Sequence, residues 1–236
     1  MNKEELKKKY GKKRVPHEWR KTDWFTTLVV TFFGSGMSPK APGTIGSLVA
    51  TIAVYPMAIL AVKLFSISGH EIDANHFYYI FANPFFLIAA IVVFFTAIPF
   101  VNKAMKDTST EDPGWIVIDE VCGIFMTFAI INPKWIVHTP YIALPLGFAL
   151  FRFFDILKPL GIHRFEKFPR GWGVMADDLL GGLYAGLLLF PLYIAAFSAF
   201  LFIIANNQAL KPWRSVWPCD FCRSPPGHAN KYFPLA

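Results

Sequence analysis

The sequence predicts an all-α protein, a polytopic integral membrane bundle of about five transmembrane helices. Of the 236 residues, 54% are apolar and only 17% are charged, whereas soluble domains are about 25% charged. The 25 Phe exclude intrinsic disorder, and the three Cys exclude a disulfide-stabilised scaffold. Five long stretches contain no charged residue, namely 41–62, 74–102, 121–133, 135–151 and 179–210.

The length of these stretches sets the predicted spans. A helix rises about 1.5 Å per residue, so about 20 residues cross a hydrocarbon core of ~30 Å. The first, second and last stretches are long enough, and the other two suffice if flanking charged residues lie within their helices. Pro133 and Pro140 leave the boundary between the third and fourth helices open by several residues. The predicted spans are 44–65, 80–101, 116–131, 136–156 and 179–204.

The N-terminal segment is strongly basic. It holds nine of the 23 Lys and Arg residues within its first 21 positions, against three acids. The net charge of +7 is compatible with a nucleic-acid partner, but no basic stripe interleaved with aromatic residues follows, so we expect no nucleic-acid binding. We interpret the segment as a cytoplasmic anchor for anionic lipids and a topology signal; for residues 1–14 a solvated tail is the alternative. The predicted division is a basic cytoplasmic tail at 1–23, a membrane domain at 24–205 and a polar tail at 206–236.

The basic loops predict the orientation of the bundle. Among the segments that connect the predicted spans, the two loops after the second and fourth spans hold most of the Lys and Arg residues. The positive-inside rule places these two loops in the cytoplasm. An odd number of spans then puts the C-terminus on the far side, although the four basic residues of the tail argue against it. The loop residues are Lys103, Lys106, Lys158, Arg164, Lys167 and Arg170.

Polar residues gather at the cytoplasmic ends of four predicted spans. A charge at mid-bilayer costs at least roughly 2.5–3.5 kcal/mol, so charges in helix ends need an explanation. Snorkelling suits long cationic side chains but not short Asp side chains. A shared polar site explains all four groups, which are Thr44 with Ser47, Asp119 with Glu120, Arg152 with Asp155 and Lys158, and Asp177 with Asp178.

Each group has a functional and a structural interpretation. The five acids form an oxygen-rich set of the kind that binds Mg²⁺ together with a substrate phosphate, or they form structural ion pairs. Arg152 and Lys158 share a helical face with Asp155 and either clamp a phosphate or make a local ion-pair stripe. The Gly- and Ser-rich stretch from Gly34 to Ser47 either offers N–H groups to an anion or is an N-capped turn.

Together these segments resemble the phosphatidylglycerophosphatase A family. Four motifs carry the resemblance, in the family's order, between residues 32 and 186. They are Gly34-Ser35-Gly36 with Pro42-Gly43-Thr44-Ile45-Gly46-Ser47-Leu48, then Ile118-Asp119-Glu120-Val121-Cys122-Gly123, then Phe151-Arg152-Phe153-Phe154-Asp155-Ile156-Leu157-Lys158-Pro159, and Gly171-Trp172-Gly173-Val174-Met175-Ala176-Asp177-Asp178.

The resemblance implies a Mg²⁺-dependent phosphoric monoester hydrolase of the bacterial inner membrane. Such enzymes convert phosphatidylglycerophosphate to phosphatidylglycerol and inorganic phosphate. It also implies that the catalytic and metal-binding residues are Asp119, Glu120, Asp155, Asp177 and Asp178. From the chemistry we expect Thr44, Ser47, Arg152 and Lys158 to hold the phosphate, at a site that faces the cytoplasm. The expected partners are the lipid substrate and the bilayer, and the sequence does not determine the oligomeric state.

Other functions have their own sequence features. A transporter or channel for a small anion or lipid would suit charged helix ends and the Gly182-x₃-Gly186 packing motif, but transport sites usually lie at the membrane midplane. His-dependent lipid phosphatases, transferases acting on CDP-lipids and haloacid-dehalogenase-type phosphatases need motifs that this sequence lacks. Cys219 and Cys222, with His228, could form a redox pair or half a zinc site, and we expect no catalytic part for them.

Overall fold

The computed structural model describes residues 18–67, 84–110, 113–158 and 171–206. Within these ranges the chain forms helices, two short 3₁₀ turns and connecting loops. The helices are α1 (Trp24–Val30), α2 (Pro42–Ile67), α3 (Phe85–Thr108), α4 (Ile118–Phe128), α5 (Pro133–His138), α6 (Pro140–Leu157) and α7 (Gly171–Asn206). Predictions for the first 17 residues, for Arg164, Lys167 and Arg170, and for Cys219, Cys222 and His228 lie outside the described residues.

Four of these helices are long and apolar enough to cross a membrane. The candidate spans are Pro42–Leu64, Phe85–Thr108, Pro140–Leu157 and Gly171–Ala199. They overlap the first, second, fourth and fifth predicted spans, with boundaries that differ by up to eight residues. The prediction of an all-α membrane bundle is therefore confirmed.

The third predicted span, 116–131, has a different structure. Helix α4 has only 11 residues, which makes it about 16 Å long, roughly half of a hydrocarbon core. Pro133 follows too soon for the helix to continue, and it occupies the first turn of α5 instead. The side chain of Asn132 caps that helix by accepting a hydrogen bond from the backbone N–H of Lys134, at 2.9 Å.

Contacts between the helices fix their directions. Near one end of the bundle, a Cβ atom added at Gly182 of α7 would lie 2.2 Å from the carbonyl oxygen of Gly123 in α4. Farther along α7, the hydroxyl of Tyr193 lies 2.5 Å from that of Thr139, which precedes α6. Helices α4 and α7 therefore run in the same direction and α6 runs back, so that α4 and α5 together lead the chain from one end of the bundle to the other.

Helix α7 begins earlier than the sequence predicts. Its first backbone N–H, on Gly171, donates to the side-chain oxygen of Asn102 in α3, at 2.9 Å. Asp177 and Asp178 therefore do not open the helix as expected, but lie about 9 Å along it, in its second turn. The residues between Gly171 and Asp177 are uncharged. No charged side chain among them requires contact with water, so the helix can begin at Gly171.

Candidate active site

Arg152 connects three helices at one end of the bundle. From the last turns of α6 its Nη1 atom lies 2.6 Å from Oδ2 of Asp155 and 3.3 Å from Oε1 of Glu120 in α4. Nη1 also donates to the hydroxyl of Ser47, and Nη2 donates to that of Thr44, each at 3.3 Å. Both hydroxyls belong to the first turns of α2, so the guanidinium lies at the N-terminus of that helix.

Glu120 is held against the same helix terminus. The hydroxyl of Ser47 lies 2.7 Å from Oε2 of Glu120 and 2.9 Å from the carbonyl oxygen of Gly43. A Cβ atom at Gly43 would lie 2.1 Å from Oε1 of Glu120, so only glycine allows this close approach. The glycine stretch thus brings the Glu120 carboxylate against the first turn of α2, where the helix dipole favours a negative charge.

A second cation pairs with an acid of α7. Lys158 directly follows α6 with a left-handed backbone, φ 41°, and its Nζ atom lies 2.5 Å from Oδ2 of Asp177. The left-handed residue turns the chain at the helix end. The other carboxylate oxygen of Asp177 accepts the backbone N–H of Asp178 at 3.0 Å.

Asp119 and Asp178 are buried on the two helices that pack most closely. Each precedes a contact glycine by four residues, Asp119 before Gly123 and Asp178 before Gly182, and therefore shares a helix face with it. Asp119, Glu120, Asp155 and Asp177 all interact electrostatically with the carboxylate of Asp178. The close glycine contact thus brings acids from α4 and α7 together.

The site has an excess of acid. Five carboxylates meet two cations, Arg152 and Lys158, which leaves a formal excess of three negative charges. In the parts of the chain that the structure describes, no three His, Cys, Asp or Glu side chains are placed to hold a metal ion, and three of the carboxylates pair with the two cations. The chemistry of the donor set fits a divalent cation, because oxygen ligands with surplus negative charge suit Mg²⁺.

The structure brings all nine predicted site residues to one end of the bundle. Their catalytic, phosphate-binding and metal-binding roles stay predictions. The expected ion pair of Arg152 with Asp155 is present, and Lys158 reaches across to another helix. Cys122 packs between helices, with its Sγ atom 3.3 Å from the carbonyl oxygen of Ala90.

The sequence analysis did not identify several residues that position the helices of the site and contribute no functional group to it. Asn102 fixes the start of α7, and its only signal was a polar residue at the end of an uncharged stretch. A Cβ atom at Gly46 would lie 2.6 Å from Cβ of Val117. Gly36 packs still more tightly, since a Cβ atom there would lie 2.2 Å from the carbonyl oxygen of Trp115. The sequence left two interpretations of this stretch, N–H groups offered to an anion or an N-capped turn, and neither anticipates the close packing of these glycines in the structure.

The fold and the site define a helical membrane protein with cations, hydroxyls and acids assembled at one end. Residues 28–193 match the family described as Phosphatidylglycerophosphatase A. The chain is 37% identical over 169 residues to the Phosphatidylglycerophosphatase A of Haemophilus influenzae, covering 70% of this chain and 86% of that protein. It is 31% identical over 166 residues to the protein of that name from Escherichia coli, covering 69% and 81%.

A third relative has a different name. A Bacteroides thetaiotaomicron protein provisionally named as a phosphatidylinositol-3-phosphatase is 36% identical over 174 residues, which cover 72% of this chain and 94% of that protein. No solved structure matches the chain. The family match spans well over half of the chain, so the protein belongs to the phosphatidylglycerophosphatase A family and is a membrane phosphatase.

Proposed function

We propose that the protein hydrolyses the terminal phosphate of phosphatidylglycerophosphate, giving phosphatidylglycerol and inorganic phosphate. Two relatives are named for this activity. The observation that carries the proposal is the position of Arg152, at the N-terminus of α2 and beside acids of two helices, α4 and α6. A cation at a helix N-terminus forms an anion site, and its place at one end of the bundle suits a head group whose acyl chains stay in the bilayer.

The phosphate-binding part consists of two cations and the first turn of α2. Thr44 is exposed and Arg152 is partly exposed, so a phosphate can reach both. A phosphomonoester dianion competes with Glu120 and Asp155 for the guanidinium, since bidentate pairing with phosphate oxygens is a strong charge-assisted contact. Lys158 supplies a second positive charge from the adjoining end of α6.

We propose Mg²⁺ as the cofactor because of the surplus acid. Asp119, Asp155, Asp177 and Asp178 would hold the ion, with Glu120 as the fifth predicted ligand. When bound, Mg²⁺ supplies a Lewis acid that neutralises phosphate oxygens and favours deprotonation of water. The residues of the chain orient the phosphate for in-line attack, and a carboxylate accepts the proton of the attacking water. A covalent aspartyl-phosphate is the alternative course.

We propose that the site faces the cytoplasm of a bacterial inner membrane. Most described Lys and Arg residues lie at the site end of the bundle, among them Lys103 and Lys106 at the end of α3. Lys63 and Lys134 lie towards the other end. This asymmetry follows the positive-inside rule. At that surface the protein would form phosphatidylglycerol for glycerophospholipid biosynthesis.

The proposal is tested by phosphate release from three lipids with purified, detergent-solubilised protein. We expect release from phosphatidylglycerophosphate that needs Mg²⁺ and stops with EDTA, and slower release from phosphatidic acid. Phosphatidylinositol 3-phosphate is the third substrate, because the Bacteroides relative bears a name for it. Faster release from that lipid would replace the proposed substrate. Binding of phosphatidylglycerophosphate without any phosphate release would favour the transporter.

Two acid variants test the site itself. We expect Asp119→Asn and Asp178→Asn to lose phosphate release, because each removes a negative charge from the buried acid group. Asp107→Asn is the matched control, since Asp107 is exposed on α3 and accepts the Thr22 hydroxyl at 2.8 Å, a hydrogen bond that an amide oxygen also accepts. Wild-type rates in both site variants would refute the acid-cluster mechanism.

A further inference from the structure

Three large aromatic side chains are exposed in the segment before the first span. Trp24 is 76% exposed, Phe33 is 78% exposed and Phe25 is 49% exposed. All three lie outside the four candidate membrane spans, so exposure to the hydrocarbon core along a spanning helix does not account for them. Aromatic side chains concentrate at membrane–water interfaces, where the head-group region accommodates both their apolar faces and their polar edges.

The segment is firmly attached to the end of α3. Asp23 pairs with Lys103, and the hydrogen bond from that ammonium holds the pKa of Asp23 well below its usual range. The pair therefore stays charged at neutral pH. The hydroxyl of Thr22 donates to Asp107 at 2.8 Å, and the ring of Phe25 lies 5.6 Å from that of Phe100 in an edge-on contact. The aromatic residues thus have a fixed position on the bundle.

This position is where the exposed stripe of α3 ends. Ile88, Val92 and Phe95 are exposed at helical spacing along the span, which is the pattern of a lipid-facing surface. Lys103 continues the stripe about two turns further on and pairs with Asp23. The α1 segment therefore lies at the level at which the lipid-facing surface of α3 changes from apolar to charged.

The backbone around Phe33 is strained in a way that keeps its side chain outside. Phe32, Phe33 and Gly34 have φ angles of 43°, 57° and 91°, and a left-handed backbone costs a non-glycine residue roughly 1–2 kcal/mol. Thr31 stabilises the turn, because its hydroxyl accepts the backbone N–H of Gly34 at 3.0 Å and its carbonyl accepts the hydroxyl of Ser35 at 2.9 Å. The fold thus holds an exposed phenyl ring in a left-handed turn that Thr31 stabilises.

Exposed cations lie next to the aromatic segment in the sequence and at the end of α3 to which the segment is attached. Arg20 and Lys21 precede Trp24 in the sequence, and Lys106 lies one turn beyond Lys103; all of them are exposed. Basic side chains near a membrane surface are attracted by anionic head groups, by about 1 kcal/mol each. Rings that face the head-group region with cations adjacent to their segment match the surface of an anionic bilayer.

We propose that Trp24, Phe25 and Phe33 form an interfacial anchor that inserts into the anionic head-group region of the leaflet at the site end. The anchor and the cations Arg20, Lys21 and Lys106 take lipid as their partner. This inference rests on the membrane fold and not on the proposed substrate. The same segment continues into the loop before Thr44, so the anchor also fixes the depth at which the phosphate-binding turn of α2 lies.

Depth measurements on the full chain in vesicles test the proposal. An environment-sensitive fluorophore is attached to Trp24→Cys or Phe33→Cys in a chain in which Cys219 and Cys222 are replaced by Ser. The vesicles are made of phosphatidylcholine alone or of phosphatidylcholine with phosphatidylglycerol. Lys40→Cys is the matched control, because Lys40 is exposed near the same end but lies outside the anchor.

We expect the labels at positions 24 and 33 to show blue-shifted emission, quenching by lipid-borne nitroxides and protection from iodide, all strengthened by phosphatidylglycerol. The label at position 40 should show the opposite pattern. Iodide quenching at 24 and 33 equal to that at 40 would overturn the proposal. Protection from iodide without quenching by nitroxide lipids would also overturn it, because another part of the chain or a second copy would then cover the rings.

Discussion

Arg152 reaches both hydroxyls of α2 and two carboxylates because its guanidinium has several donors in a planar fork. A Lys at this position keeps the charge but has a single ammonium nitrogen. It cannot reproduce the two donor positions, Nη1 and Nη2, of the guanidinium. We therefore expect Arg152→Lys to lower kcat/KM for phosphate release by about 10²-fold, the order found when one transition-state donor is removed. Steady-state release from the lipid at several concentrations measures it.

The control for this change is Lys63→Arg. Lys63 is an exposed cation of α2, far along the helix from Thr44, and its exchange also conserves charge. We expect unchanged kcat/KM for that variant. An Arg152→Lys variant as active as Lys63→Arg would mean that charge alone, without the forked geometry, suffices at the phosphate.

Glu120 differs from the other four acids in its surroundings. Its carboxylate is engaged by Ser47, Arg152 and the close backbone of Gly43, so we expect it to position Arg152 more than to bind the metal. Glu120→Gln should raise KM and leave the Mg²⁺ concentration for half-maximal activity unchanged. Asp119→Asn should raise that concentration wherever residual activity is measurable. If Glu120→Gln raises the Mg²⁺ concentration for half-maximal activity as much as Asp119→Asn does, Glu120 is a metal ligand.

Among the structural elements, the contact of α4 with α7 positions the buried acids. A Cβ atom at Gly182 would lie 2.2 Å from a backbone oxygen that cannot move aside, whereas one at Gly181 meets nothing closer than 3.9 Å. We expect Gly182→Ala to lower the free energy of unfolding by about 1–3 kcal/mol through overpacking and to reduce activity by separating Asp119 from Asp178.

Gly181→Ala is the matched control from the neighbouring position of the same helix. It should leave stability unchanged or raise it by about 0.5–1 kcal/mol, since alanine is the better helix former. Thermal melting in detergent, monitored by circular dichroism and residual activity, compares the two. An equal Tm for both variants would show that α4 and α7 can separate at no cost.

The elements also show what the sequence could predict. The four long helices could be predicted from the length of the uncharged stretches. A bilayer requires about 20 apolar residues for each crossing, whatever those residues contact. The third predicted span is divided into α4 and α5 by the Asn132 cap and by Pro133. A hydropathy average does not detect such a helix boundary. The grouping of the acids followed from helix ends sharing one boundary. The pairing of Lys158 with Asp177 did not, because a contact between helices is a tertiary property.

For the whole molecule, the helix directions determine on which sides its two ends lie. Helix α2 leaves the site end after Thr44, and α7 also leaves it, from Asp178 past Gly182 to Tyr193. With α4 and α5 together counted as one crossing beside the four candidate spans, we expect five crossings. We therefore expect residue 206 and the tail that follows it to lie on the side opposite Lys21.

The native tail cysteines make this measurable. In sealed right-side-out cells, after mild reduction, a membrane-impermeant maleimide should label Cys219 and Cys222, while a Lys21→Cys chain with both tail cysteines replaced by Ser should be labelled only after lysis. Cys122 is buried and supplies the unlabelled background. The physical reason is the charge asymmetry, since the basic residues at the site end resist translocation. Labelling of both positions from the same side would require an even number of crossings and would overturn the five-crossing arrangement.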